Sequence, residues 1–282
     1  MCIIAVSTYC FFTEKTLKQS VQFIADKGFK GIELWCNVYN AWPREFLEED
    51  KKHISELVSE RDLSLSLHAP SIGNNLASHN SGQREETIKQ LKETISLAAE
   101  LKGKIVVVHP GTICFSHFFL QHPGGLFSYQ KMKREAVLLL IDSLTRCAQY
   151  AFEKNVTLCL ENIGFIDNDV LPSFEDLREV ISTVNSPALK VTLDLSHAHI
   201  TGDIRTAVNV LSPYIKHIHI SDNCGSRSSH YEMGKGNMDL GPIAQYLKDF
   251  DGMLVMEIIG DGDLEGAVLR SRNYLEAVLA VN

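Results

Sequence analysis

The chain has 282 residues, 45% apolar and 22% charged, with a formal net charge of −8. Non-specific nucleic-acid binding rests on Lys and Arg neutralising phosphates, so an acidic chain argues against a general affinity for DNA or RNA and leaves room only for a local basic groove. No apolar run is long enough to span a bilayer.

The amino terminus reads MCIIAVSTYCFF. Without a basic leading segment or a small-residue cleavage site, it reads as a first β-strand rather than a signal peptide. Seven cysteines (Cys2, Cys10, Cys36, Cys114, Cys147, Cys159 and Cys224) are scattered with no C-x-x-C pair. That pattern fits reduced thiols in a cytoplasm better than disulfides or a zinc site, so a cytoplasmic location is expected.

Further β-like runs follow in order: GIELW, LSLSLHAP, IVVVHPG, VTLCLEN, VTLDLSHAH, IKHIHISD and LVMEII. Almost every one precedes a stretch of helical periodicity, such as the stripes Leu17, Val21, Ile24, Ala25 and Ile88, Leu91, Ile95, Ala98, Leu101. S-F-E-D at Ser173 to Asp176 has the form of a capping box opening another helix. Eight β/α alternations in a chain of this length predict an α/β protein built as a single (β/α)8 TIM barrel, one domain over residues 1–282.

In LSLSLH, VTLCLE, VTLD and HIHIS, one parity carries mostly Leu, Val or Ile and the other carries Ser, Thr, Cys, Asp, Glu or His. The bulky parity would pack on the helices and the other would point into the barrel. Such an interior departs from the branched filling of these barrels and suggests room for a ligand near the top.

The runs end on His68, His109, Glu161, Asp194, His219 and Glu257. Strand carboxyl ends share one mouth in a barrel of this kind, so these groups would converge. Packed carboxylates repel, and one must hold a proton unless a cation neutralises them. A divalent metal meets that need, and a mixed imidazole and carboxylate set suits Zn²⁺, Mn²⁺, Co²⁺ or Fe²⁺. Any one of these residues alone is accounted for as a satisfied polar group or a helix cap; their joint placement is not.

At these residues the chain resembles the xylose isomerase-like barrels, which unite sugar isomerases and epimerases with the AP endonuclease family typified by endonuclease IV. The motifs are L-E-N at Glu161, D-x-x-H at Asp194 and His197, H-x-H-x-x-D at His217, His219 and Asp222, and M-E at Glu257. The resemblance implies that Glu161, Asp194, His219 and Glu257 hold one metal, as in the epimerases. His68, His109, His197 and His230 match further ligands that the endonuclease branch uses for three zinc ions, and HAPSIGNNLAS is similar to its third strand and loop. Where that branch carries one more aspartate, this chain has Ser228, which favours one or two ions over three.

Other departures bear on the substrate. The loop CNVYNAWP lacks the basic, asparagine-containing motif of the DNA-repair branch, and Gly225 stands where one epimerase subgroup has arginine. The loop GTICFSHFFLQHPGGLFSYQ is aromatic and carries no Lys or Arg. It could stack on bases, cover a sugar, or serve as a packed lid or homo-oligomer contact. Trp35 and Trp42 share this ambiguity, and Trp35 could simply fill the rim.

Residues and resemblance together point to a metal-dependent isomerase or epimerase of a small-molecule sugar or sugar phosphate, working through a metal-stabilised enediolate next to a carbonyl. Glu161 and Glu257 would act as base and acid. His197 would orient a substrate hydroxyl, Trp42 would line the site, and Arg227 and Lys235 could clamp a phosphate or simply be solvated. The alternative is a zinc-dependent AP endonuclease or phosphodiesterase, favoured by His68 and His109. A non-catalytic sugar- or metal-binding module is a third reading, which two proton-transfer glutamates count against.

Overall fold

In the computed structural model, residues 2–38, 40–113, 121–164, 168–260 and 262–280 are described. Eight parallel strands close into one barrel in sequence order: β1 (Ile3–Ser7), β2 (Gly31–Trp35), β3 (Ser64–His68), β4 (Ile105–Val108), β5 (Thr157–Glu161), β6 (Leu189–Asp194), β7 (Ile215–Ile220) and β8 (Met253–Met256). The helices around it are α1 (Leu17–Asp26), α2 (Glu48–Glu60), α3 (Ser81–Glu100), α4 (Gly125–Glu153), α5 (Phe174–Val184), α6 (Leu195–Thr201), α7 (Ile204–Leu211), α8 (Ala244–Asp249) and α9 (Leu264–Ala280). This is the (β/α)8 barrel that the sequence predicts, and no helix among the described residues is long and apolar enough to cross a membrane.

Both predicted stripes are buried against the sheet, in α1 and in α3 with its cap Leu101. Ser173 caps α5 by accepting from the Asp176 backbone N–H, while its hydroxyl donates to the Asp176 carboxylate; the reciprocal half of a capping box is therefore replaced by a side-chain pair. The run VTLDLSHAH does not stay extended. β6 stops at Asp194, whose carboxylate accepts from the His197 N–H and starts α6 one residue later. The six described cysteines are free thiols; Cys114 lies outside the described residues.

The two-residue parity of the strands separates two cores. Leu65, Leu67, Leu158, Leu160, Val191, Leu193, Ile218 and Ile220 face the helices in one continuous cluster. Inside the barrel the apolar filling is thin: Ala5, Met253 and Val255 form one small group, and Ile105, Val107 and Cys159 another. Gly31 belongs to this floor, because a Cβ there would lie 2.7 Å from that of Ala5. One step higher, on the same parity, the sequence supplies His68, His109, Glu161 and Glu257 in place of Ser66, Val107, Cys159 and Val255. A register shift between Val191 and Thr192 brings Asp194 opposite His219.

The helix-facing layer carries the stability. Leu160→Ala, in a fully buried position, should cost about 2–5 kcal/mol by denaturant unfolding. Leu138→Ala, at an exposed position on α4, should change it by less than about 0.5 kcal/mol. Equal effects would contradict this division.

Candidate metal centre

The carboxyl ends of β5 to β8 bring four predicted residues together. One ligand atom each from Glu161, Asp194, His219 and Glu257 lies within 4.8 Å of every other, and all four side chains are buried. Glu161 is the hub. Its Oε1 lies 3.2 Å from His219 Nδ1, and its Oε2 lies 3.3 Å from His68 Nε2 and 3.0 Å from His109 Nε2. His68, His109 and Glu161 thus form a second group that could hold an ion, sharing Glu161 with the first.

Hydrogen bonds decide which nitrogens face this cluster. His68 Nδ1 donates to the Ala69 carbonyl at 2.9 Å, because a carbonyl only accepts, and Nε2 is left toward Glu161. His197 Nδ1 likewise donates to the Asn162 carbonyl at 3.0 Å. Asn162 also clamps the neighbouring strand end: its side chain accepts from the Asp194 N–H at 2.8 Å and donates to the Asp194 carbonyl at 3.0 Å. The sequence marks L-E-N but gives its asparagine no role.

His230 is placed differently from expectation. Its Nδ1 lies 3.1 Å from the Glu257 carbonyl, and its Nε2 accepts from the Ser228 hydroxyl at 3.0 Å. The serine that stands in for the expected aspartate therefore occupies the ring nitrogen that a third ion would need. Neither His197 nor His230 belongs to a described group able to hold an ion, although their rings meet edge-on at 5.9 Å.

The loop after β7 is organised by Asp222. Its carboxylate accepts backbone N–H groups from Asn223, Gly234, Gly236 and Met238, which makes it a loop anchor rather than a ligand. Arg227 and Lys235 are exposed on this loop. His199 bonds Asn237 at 2.8 Å, a structural role. Asn75, in HAPSIGNNLAS, ties the β3 and β4 loops by accepting from Thr112 N–H and donating to the Thr112 carbonyl. Gly111 must be glycine for this approach: its φ is +103° and a Cβ would sit 2.2 Å from the Asn75 side chain.

At the rim, Trp35 packs on Tyr9 and Phe12 with ring centroids 4.8 and 5.1 Å apart, so it fills the edge of the barrel. Trp42 is half-buried and lies against Arg44, which is ion-paired with Glu86 and Glu93 of α3. Most of the aromatic β4 loop, residues 114–120, lies outside the described residues.

The sequence motifs give no role to a further acid that has no solvent exposure. Glu33, in the middle of GIELW, is fully buried and bonded to Ser66 and His217. Its signal was a charged residue in an otherwise apolar strand.

The charges are strongly coupled. Burial pushes the Glu257 carboxyl up to about 7, against the attraction of His219 and His68. Burial would also raise Glu161, but His219 and His109 hold it well below the usual carboxylate range. His68 loses solvation too, yet Glu161 carries its pKa up to about 9. Among the described residues, every ion pair of Glu33, Glu161, Asp194 and Glu257 is with a histidine. The donor set therefore fits a divalent cation: oxygens and imidazole nitrogens converge without a Lys or Arg to neutralise them.

The fold and these residues define a (β/α)8 barrel with a buried carboxylate and histidine centre at the carboxyl mouth. The chain belongs to the xylose isomerase-like TIM barrel family, whose profile matches residues 21–278. An uncharacterised protein of Methanocaldococcus jannaschii is 27% identical over 97% of this chain and 89% of its own length. A fructoselysine 3-epimerase of Shigella flexneri is 20% identical over 89% and 88%, and a probable endonuclease 4 of Metamycoplasma arthritidis 26% identical over 73% and 72%. Among solved structures, a D-tagatose 3-epimerase-like protein superposes with a TM-score of 0.82 at 24% identity, over 98% of this chain and 97% of that one. At that identity the likeness is one of fold.

The shifts set a pH dependence for the chelator-treated protein. Glu257 and His68 are raised from ordinary values of 4.5 and 6.5, to about 7 and about 9. Their stabilising contribution is full below the ordinary values and is lost as pH rises through the raised ones. The melting temperature of the chelated protein should therefore fall between pH 6.5 and pH 9, and a divalent ion should oppose the fall. A flat profile in that range would contradict the assignment.

Proposed function

We propose that the protein is a divalent-metal-dependent isomerase or epimerase of a sugar or sugar phosphate, acting by proton transfer at a carbon next to a carbonyl. The observation that carries this reading is that the carboxylates of Glu161 and Glu257, at the ends of β5 and β8, both reach His219 Nδ1, at 3.2 and 3.5 Å. Two carboxylates converging from separated strands can address one carbon from two sides. The epimerases among the relatives and structural neighbours support the same chemistry.

Glu161, Asp194, His219 and Glu257 would hold the ion, with Zn²⁺ and Mn²⁺ the best fits to the donor set. Bound there, it would supply Lewis-acid polarisation of a substrate carbonyl and the adjacent hydroxyl. One glutamate then removes the carbon-bound proton, and the other returns a proton on the opposite face. His197, held by Asn162 and by the α6 N-terminus, orients a substrate hydroxyl. Trp42 would line the approach, and Arg227 and Lys235 would clamp a substrate phosphate.

A second reading has its own observation. Glu161 offers one oxygen to His219 and the other to His68 and His109, an arrangement suited to two ions and hence to phosphodiester hydrolysis.

Elemental analysis of freshly purified protein, followed by assays on a ketose panel in deuterated water and on abasic-site DNA, separates the two. The isomerase reading predicts solvent deuterium next to the ketose carbonyl, a fall of at least about 10³-fold in Glu161→Gln and Glu257→Gln, and little metal loss in His109→Ala. Incision of abasic DNA, with loss of one ion in His109→Ala, would establish the phosphodiesterase instead.

A further inference from the structure

Glu33 sits where a branched apolar residue would serve packing well. Ile32 and Leu34 on either side face the helices, while Val107 and Val255 occupy the barrel interior nearby. A fully buried carboxylate costs several kcal/mol in lost solvation unless its partners compensate. Its partners among the described residues are a hydroxyl and two imidazoles. Ser66 Oγ and His217 Nε2 lie 2.9 and 2.8 Å from Oε2, and His219 Nε2 lies 3.1 Å from Oε1.

The two oxygens differ in what they lack. Oε2 is already satisfied by Ser66 and His217. Oε1 and His219 Nε2 are buried and make no aligned hydrogen bond with any described group, although they face each other across 3.1 Å. Among the described residues, each is the partner that the other faces. Because an ionised carboxylate only accepts, the pairing requires a proton on His219 Nε2.

That proton determines the rest of the ring. A neutral imidazole protonated on Nε2 carries its lone pair on Nδ1, and Nδ1 points at Glu161 Oε1 and Glu257 Oε2, 3.2 and 3.5 Å away. With both carboxylates ionised, neither oxygen can donate to it, so a nitrogen lone pair and two carboxylate oxygens face one another, a donor set that a divalent ion satisfies. We propose that Glu33 is a positioning residue which holds His219 so that Nδ1, rather than Nε2, is the nitrogen offered to the divalent ion. The inference rests on the metal reading of the site above, and adds to it the residue that sets the ligand's orientation from below. Partners of this type, behind a ligating histidine, are worth about 10- to 100-fold in metal affinity.

Glu33, His217 and His219 are themselves close enough to hold an ion. Ser66 and His217 already share Oε2, however, and all three members of that group are completely enclosed. The test treats this arrangement as a contrary outcome.

The experiment titrates wild type, Glu33→Gln and Glu33→Asp with Co²⁺ by calorimetry and visible absorption, and records histidine ¹⁵N spectra of the Zn²⁺-loaded wild type. Gln presents one acceptor oxygen where the carboxylate presents two, so one imidazole N–H loses its partner. The proposal predicts a His219 Nε2-bound proton in the Zn²⁺-loaded wild type. It also predicts Co²⁺ affinity about 10- to 100-fold weaker in Glu33→Gln with an altered visible band, and partial recovery in Glu33→Asp, which keeps the charge. A His219 proton on Nδ1, wild-type affinity and spectrum in a folded Glu33→Gln, or loss of one whole Co²⁺ equivalent at unchanged affinity for the rest, would overturn it. Circular dichroism checks folding, and if neither variant folds the wild-type spectrum decides. Failure of the wild type to bind any ion would overturn the metal reading itself, an outcome distinct from these.

Discussion

Repulsion among buried carboxylates is the constraint around which this barrel is organised. Glu161, Asp194 and Glu257 meet with His219 in a patch where one ligand atom from each lies within 4.8 Å of the others, and Glu33 lies beneath. Such a group is unstable unless positive charge enters it. Imidazoles supply that charge in the metal-free chain, and a divalent cation would supply it more completely while releasing the histidines to act as neutral ligands.

The scaffold meets this demand by separating packing from chemistry along each strand. Leu and Val on one parity bind the sheet to the helices, so the opposite parity can carry polar side chains inward without loss of the main core. The polar parity is then held by specific bonds: Asn162 joins the ends of β5 and β6, Asp222 gathers the β7 loop, and Asn75 joins the β3 and β4 loops. His68, His197 and His230 each have a ring nitrogen at a backbone carbonyl, and His219 Nε2 lies 3.1 Å from Glu33 Oε1. The imidazoles at the mouth are thus held by the protein itself, which would reduce the reorganisation needed on binding.

The strands and the residues at their ends were legible because both are local signals. Alternation of Leu with Ser, Thr, Cys or His marks the strand and its inward face together, and the last inward residue is the one at the mouth. Glu33 was not legible, because GIELW reads as a short apolar run and its carboxylate gains meaning only from His217 and His219, nearly two hundred positions along the chain. His230 shows the converse. Its motif placed it among the ligands, but Ser228, two residues away, takes up its Nε2, a bond that spacing alone does not reveal. The early end of β6 had a similar cause, since Asp194 is both a predicted ligand and the cap that turns the chain into α6.

Anomalous diffraction at the metal absorption edge, on crystals of the Zn²⁺- or Mn²⁺-loaded protein, tests the central claim most directly. The account predicts a peak bounded by Glu161, Asp194, His219 and Glu257, with ligand distances of about 2.0–2.2 Å. Loaded crystals with no peak inside that group, or with metal only at other sites, would contradict it.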